Sequence, residues 1–266
     1  MSRFGFRTRN GVISSFIEGL VGTTIDVDAQ AYFDRVTAAG GTLTTTEKDA
    51  VSVLVLSLKT NSLWTLMKVI YPMVGSSAAA CAQNLKSSSF TGTFSNCTFS
   101  GTGVTYGGAG QILVPLDLNT MNSINDISYG YYCRNDIESG GSFGWGVNSN
   151  INNEFWIEYT GGTRYGYLFD GANDGGIAGD SRGLNSISRI ASNIKYIQKN
   201  STINTYTSIS SGSLLSRNFY FGRGHQGYEV GRENAFGFIG NGLTSTNLTN
   251  LYTAVQTFQT SLSRQV

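Results

Sequence analysis

The sequence predicts a mainly β chain: an antiparallel two-sheet sandwich with a helical hairpin before it and a helix closing its carboxyl end. Three observations lead there. From Gly75 onward the chain runs in short alternating stretches parted by Gly, Asn and Ser, the texture of an antiparallel sandwich. Before Gly75 and after Thr244 the apolar residues recur at helical spacing instead. The composition favours strands and turns, since Ser, Thr, Asn and Gly accompany 14 Tyr and 15 Phe. At 266 residues the chain is long enough to bury one large β core with a small helical annex.

Taken in order, residues 1–25 form an arm that carries Arg3, Arg7 and Arg9 and no apolar h-region, so it does not read as a secretory signal. A helix is expected over Asp26–Ala39, with Ala29, Tyr32, Phe33 and Val36 as its apolar face, Asp26 or Asp28 as cap, and Gly40–Gly41 as stop. The second helix opens on "LTTTE", where Thr44 and Glu47 make a capping box and Leu43 a hydrophobic staple. Its stripe is Ala50, Val51, Leu54, Val55 and Leu58. After a break near Asn61, "LWTLMKVIYP" places Leu63, Trp64, Met67 and Ile70 at helical spacing, and Pro72 ends that run. Residues 26–75 thus read as a helical hairpin unit.

Residues 76–266 read as the sandwich and its closing helix. Strands are expected over 97–106, 111–116, 124–134, 142–148, 154–159, 164–169, 186–191, 194–198, 202–207, 218–222 and 234–240. In "DISYGYYCR" alternation puts Ile127, Tyr129, Tyr131 and Cys133 on a core face and Ser128, Gly130 and Tyr132 on a surface face. The closing helix spans 245–262, capped by Thr244, with Leu248, Leu251, Tyr252, Val255, Phe258 and Leu262 on one stripe. No repeat of 20–50 residues is visible, which argues against a propeller or solenoid.

Charge and cysteine content remove several function classes. Charged residues are 13% of the chain and the net charge is +1, so neither sign offers a field for nucleic acid or an anionic membrane. The longest apolar run, Ala50–Leu58, is interrupted by Ser52 and Ser57 and is under half a membrane span, so no membrane insertion is expected. Cys81, Cys97 and Cys133 fall in no Cys-x-x-Cys spacing and read as unpaired thiols. The sequons at Asn96, Asn200 and Asn247 read as chance in a chain rich in Asn and Thr.

The segment with most chemical interest is "NEFWIEYTGG", where Glu154 and Glu158 lie on one face of an alternating run. Along a strand their Cα atoms stand roughly 13 Å apart, whereas retaining glycosidases hold their carboxyl groups about 5–5.5 Å apart. Laminarinase-like glycosidases resemble this layout but carry a third acid in the middle, where this chain has Trp156. Catalysis by Glu154 and Glu158 is therefore disfavoured. Binding fits better: Trp156 between two carboxylates offers an apolar plate with hydrogen-bond acceptors beside it, suited to a sugar ring. Tyr132, Tyr165 and Tyr167 on neighbouring strands complete the candidate glycan site.

Two weaker constellations follow. "FDGANDGGIAGD" gathers Asp170, Asn173, Asp174 and Asp180 in a glycine-rich stretch, a weak Ca²⁺ candidate that reads more simply as a string of turns. No cofactor is expected. "GRGHQGYEVGRE" holds His225, the single histidine, with Arg223, Glu229, Arg232 and Glu233. Without a Gly-x-Ser-x-Gly elbow this reads as a solvated charged loop rather than a catalytic triad.

"DVDAQAYFDRV", "LWTLMKVIYPMVG", "ISYGYYCRND" and the closing "GLTSTNLTNLYTAVQTFQTSLSRQV" together resemble a group of tailed-bacteriophage virion proteins with a laminin-G or concanavalin A-like jelly roll. The resemblance covers roughly 26–75 and 121–266. It implies a jelly-roll form of the sandwich and a structural or appendage role on the phage exterior: head decoration, head fibre, neck or tail. It also implies synthesis in the host cytoplasm, virion proteins as partners, and symmetric homo-oligomeric assembly. Within that frame Arg3, Phe4, Phe6, Arg7 and Arg9 are the expected anchoring residues, and a host-surface glycan is the second expected partner.

Overall fold

The computed structural model describes residues 25–137, 155–160, 162–170, 174–210, 213–214, 216, 218–224, 227–228 and 231–266. Two helices come first, α1 (Val27–Ala38) and α2 (Thr45–Thr60). Asp26 caps α1, accepting from the Asp28 amide at 2.9 Å. Thr44 and Glu47 form the expected box on α2. Glu47 also accepts from the Gly75 amide at 2.8 Å, tying the helix start to a distant turn.

The third helix is where structure and sequence part. After one 3-10 turn, Trp64–Leu66, the chain becomes strand β1 (Met67–Tyr71) and pairs antiparallel with β14 (Glu233–Gly240). The expected helix over 63–71 is thus corrected to a strand. "MKVIY" is buried on both sides: Met67 and Ile70 join the core beneath the helices, while Val69 and Tyr71 join the core between the sheets. A strand apolar on both faces mimics a helical stripe over five residues, and periodicity cannot separate the two. The other edge of β1 is served by the Asn84 side chain, which accepts from the Ile70 amide at 2.9 Å and donates to the Lys68 carbonyl at 3.1 Å.

A short helix α3 (Ala78–Cys81) leads to β2 (Thr93–Ser100) and the long β3 (Gly103–Asp117), and then to β4 (Ile127–Cys133). Next come β5 (Phe155–Thr160), β6 (Thr163–Leu168), β7 (Asp174–Ala178), β8 (Gly183–Ala191), β9 (Ile194–Lys199) and β10 (Thr202–Tyr206). The chain continues with β11 (Asn218–Phe221), β12 (Arg223–Gly224), β13 (Gly227–Tyr228), β14 and α4 (Ser245–Ser261). The expected strand 97–106 is two strands, because Gly101 and Thr102 turn the chain into a β2–β3 hairpin. The expected strand 111–116 is the second half of β3. β7 was not expected, since "DGGIA" reads as turn; the strand expected at 142–148 lies outside the described residues.

The main sheet runs β10–β9–β8–β4–β14–β3–β11, with β1 on β14 and β2 on β3. β14 divides one edge between β3 (Glu233, Asn234) and β1 (Gly237–Gly240). The β2–β3–β11 part therefore leaves the plane and folds across the sheet. Gly237 permits the contact: a Cβ there would stand 2.7 Å from the Phe221 ring. A separate sheet, β5–β6–β7, lies over β8 and β9, where a Cβ on Gly166 would meet Ile187 at 2.6 Å. The result is an antiparallel jelly-roll sandwich backed by helices.

Two cores follow from this layering. Phe236, Phe238, Tyr132 and Leu184 meet α1, α2 and α4 on one face of the main sheet; Tyr129, Tyr131, Ile187, Ile197 and Ile239 meet the overlying strands on the other. β4 is consequently buried on both faces, and the expected surface face of Ser128, Gly130 and Tyr132 is corrected to a second core face. The helices supply what covers it. Arg264, 1% exposed, locks the end of α4 by donating to the carbonyls of Met73, Pro72 and Ala235 at 2.8–3.2 Å, and burial pushes it down to about 10.

Candidate carbohydrate-contact face

β5 and β6 form a hairpin whose register pairs Trp156 with Tyr167 and Glu158 with Tyr165. Directly opposed residues of an antiparallel pair share a face, with Cβ atoms about 4.5–5.5 Å apart, and residues two apart on one strand share it too. Positions 156, 158, 165 and 167 therefore occupy one face. The opposite face is the one laid on the main sheet, as the Gly166 contact and the full burial of Leu168 show. Four of the six positions nominated for glycan contact thus lie together on the outer face of the β5–β6–β7 sheet. Tyr167 is half-buried there.

The other two do not join them. Glu154 lies outside the described residues. Tyr132 is fully buried beneath α4, its hydroxyl accepting from the Val266 amide at 3.0 Å, and burial raises its pKa. The assignment of Tyr132 to a glycan surface is corrected: alternation gave its face, but only the helical layer shows that face to be interior.

Beneath the hairpin the acidic constellation takes a different form from a cation site. Asp170 is fully buried between Arg189 Nη2 at 2.5 Å and Lys195 Nζ at 2.6 Å, and Asp174 meets the same Lys195 at 2.8 Å. Asp180 pairs with Arg182 at 2.6 Å and Lys199 at 3.3 Å. Burial opposes its ionisation, but the bonds and charge from Arg182 and Lys199 hold Asp180 below the usual carboxylate range. Asn173 lies outside the described residues. The weak Ca²⁺ assignment is therefore corrected for Asp170, Asp174 and Asp180, whose charges are met by side-chain cations.

These contacts hold the small sheet on the large one. Lys195 Nζ donates to the Gly166 carbonyl at 3.0 Å, and Arg189 Nε donates to the Leu168 carbonyl at 2.9 Å. Asp170 also accepts from Ser208 Oγ at 2.8 Å. Burial pushes the Arg189 guanidinium down, and the Asp170 and Asp174 charges work against that fall. A signal for this cluster did exist in the sequence: Arg189 shares a strand face with Ile187, and Lys195 with Ile197, so both cations lie on core-facing positions that demand buried anions.

The second charged stretch is likewise more structural than its sequence implies. Arg232 is 1% exposed, its Nη1 3.6 Å from Cys133 Sγ and its Nη2 donating to the Ile137 carbonyl at 3.2 Å. Glu233 pairs with Arg134 at 3.2 Å. The expected solvated loop is corrected at these two positions, Glu233 beginning β14 and Arg232 preceding it. Arg223 lies in β12, while His225 and Glu229 lie outside the described residues. Residues 3, 4, 6, 7 and 9 lie outside them as well. Among the described residues no group of three metal-ligating side chains occurs, and no helix is long and apolar enough to cross a membrane.

The sequence matches no family model and no curated protein. The structure is similar to domain 4 of AbnA, a GH43 extracellular arabinanase from Geobacillus stearothermophilus solved in complex with arabinotriose. That match has 11% identity and a TM-score of 0.50, covering 70% of this chain and 98% of that one. It is also similar to the receptor-binding domain of the botulinum neurotoxin C/D mosaic serotype, at 10% identity and a TM-score of 0.50, over 71% of this chain and 51% of that one. The chain therefore spans about half of the toxin domain. At this identity the likeness shows the fold, a mainly β antiparallel sandwich.

Proposed function

We propose that the chain is a non-enzymatic component on the exterior of a tailed-phage particle, assembled as a homo-oligomer, whose lectin-like jelly roll contacts host-surface glycan through positions 156, 158, 165 and 167. The observation that carries the glycan part is the β5–β6 register, which opposes Trp156 to Tyr167 and Glu158 to Tyr165 on the outer face. Aromatic rings stack on the apolar face of a sugar, and a neighbouring carboxylate accepts from its hydroxyls. The AbnA domain, solved with arabinotriose, supports this reading as a β-sandwich in a carbohydrate complex. The non-enzymatic reading rests on Trp156 occupying the position between Glu154 and Glu158 and on the strand spacing of that pair.

The virion part rests on the sequence resemblance. The four segments that carry it supply Phe33, Ile70, Tyr132 and Leu251 to a single core, so the likeness concerns one packed unit rather than scattered strands. Copy counting by mass spectrometry on purified phage particles tests the placement: dozens to hundreds of copies are expected, and absence from the particle sinks it. A glycan array tests the face. Binding that disappears with Trp156→Ala is expected; a blank array, or binding indifferent to that change, removes the glycan reading. Shortening of a bound polysaccharide on prolonged incubation would overturn the non-enzymatic one.

A further inference from the structure

α2 and α4 pack side by side in opposite directions, each burying one face on the main sheet, and the surface between them is open. A groove of about 360 Å³ runs there, lined by Thr46, Asp49, Ala50, Val53, Thr257 and Ser261. At Thr46 and Ser261 it meets a second hollow of about 410 Å³ by the start of α2. Two large apolar side chains of α2 stand out of this surface, Val53 at 50% and Leu56 at 49% exposure. The exposed threonines of α4 make it less polar than it reads: Thr249 and Thr253 return their hydroxyls to the carbonyls of Ser245 and Thr249, each at 3.1 Å.

We propose that this α2–α4 face is the docking site for the chain's own residues 12–21, "VISSFIEGLV". Val12, Ile13, Phe16, Ile17, Leu20 and Val21 recur at helical spacing, while Ser14, Ser15 and Glu18 fall between them. That apolar stripe matches a groove lined by Ala50 and Val53, with Leu56 exposed one turn further along α2. The point of attachment fits as well. Asp26 and Asp28 both reach Lys59 at 2.6 Å, so the chain enters α1 beside the last turn of α2, one turn beyond Leu56. Three residues, Gly22 to Thr24, separate Val21 from Ile25.

The length agrees. Ten helical residues cover about 15 Å, the same rise as Thr46 to Leu56 on α2. A segment laid along the groove from the Leu56 end reaches Thr46 at residue 12, so Arg9 and Arg7 fall beyond the start of α2. Docking would thereby set where Arg3, Phe4 and Phe6 leave the body. The inference rests on the helix pair and not on the virion or glycan reading.

The test places a benzophenone side chain at Val53 in the full-length protein and maps its photo-crosslinks by tandem mass spectrometry. An intrachain link to residues 12–21 is expected, with a yield that does not change on dilution. Phe16→Asp with Leu20→Asp should lower that yield by about tenfold or more, since two apolar anchors are lost. Leu56→Asp, a half-exposed position, should do the same without changing the thermal midpoint. Links only between copies would show that a second molecule covers the face and overturn the proposal. So would the lack of any link to residues 12–21.

Discussion

On one side of the main sheet Phe236 and Phe238 meet Leu251, Val255 and Phe258 of the helical layer. On the other side, at its β8–β9 end, Arg189 and Lys195 reach up to Asp170 and Asp174 in the β5–β6–β7 sheet. The first contact is apolar and non-directional, so it tolerates changes of shape that keep volume. The second is directional, and Arg189, Lys195 and Asp170 are fully desolvated, so each depends on the others. A sheet held by burial alone can slide; one held by charge pairs at fixed atoms cannot. The small sheet carries the proposed glycan face, and its rigid seat keeps that face preorganised.

The sharpest way to break this contrast is Lys195→Met. It removes the cation that Asp170 and Asp174 share, leaving Asp170 to Arg189, and should cost about 3–5 kcal/mol in denaturant unfolding. In the helical layer Leu251→Ala should cost about 2–5 kcal/mol, but Leu251→Met less than about 1.5 kcal/mol. If Lys195→Met proves as mild as Leu251→Met, the small sheet is not held by charge. Thr44→Ala, which removes the α2 cap, should cost about 1 kcal/mol by the same measurement.

The smallest effect is expected from pH. Asp180 titrates below its unfolded value in the folded chain. Its contribution is thus fully present above the unfolded pKa of about 3.9 and is lost as pH falls through the folded one. Asp180→Asn should lower neutral stability slightly and flatten the acid limb of the stability curve by the same small amount. A steeper acid limb in that variant would contradict the assignment.

Thiol chemistry sharpens the view of the interior in another way. Burial pushes Cys81 up to about 12 and Cys97 up to about 11. Thiolate is the reactive form, so both should resist alkylation at pH 8, and the half-buried Cys97 should react before Cys81. Rapid labelling of Cys81 in the folded protein would mean that α3 opens readily.

Local chemistry made much of this legible. Thr44 with Glu47, Asp26 and Thr244 marked three helix starts correctly, because a cap is decided by a few neighbouring atoms. The grouping of positions 156, 158, 165 and 167 on one face needed the β5–β6 register, which alternation within each strand does not supply. Three readings failed for a shared reason. "MKVIY" looked helical, Tyr132 looked exposed and Arg232 looked solvated, and each depends on what a distant segment brings to it: β14, α4, and the end of β4 with Ile137.

By itself, then, the sequence determined the mainly β class, the capped helices and the two faces of each strand, all products of interactions within a few residues. Only the tertiary structure decided which faces are interior and which charges are paired. A strand's alternation separates its two faces but carries no information on whether one layer or two will cover them. A carboxylate's role depends on which cations lie close enough to outweigh water.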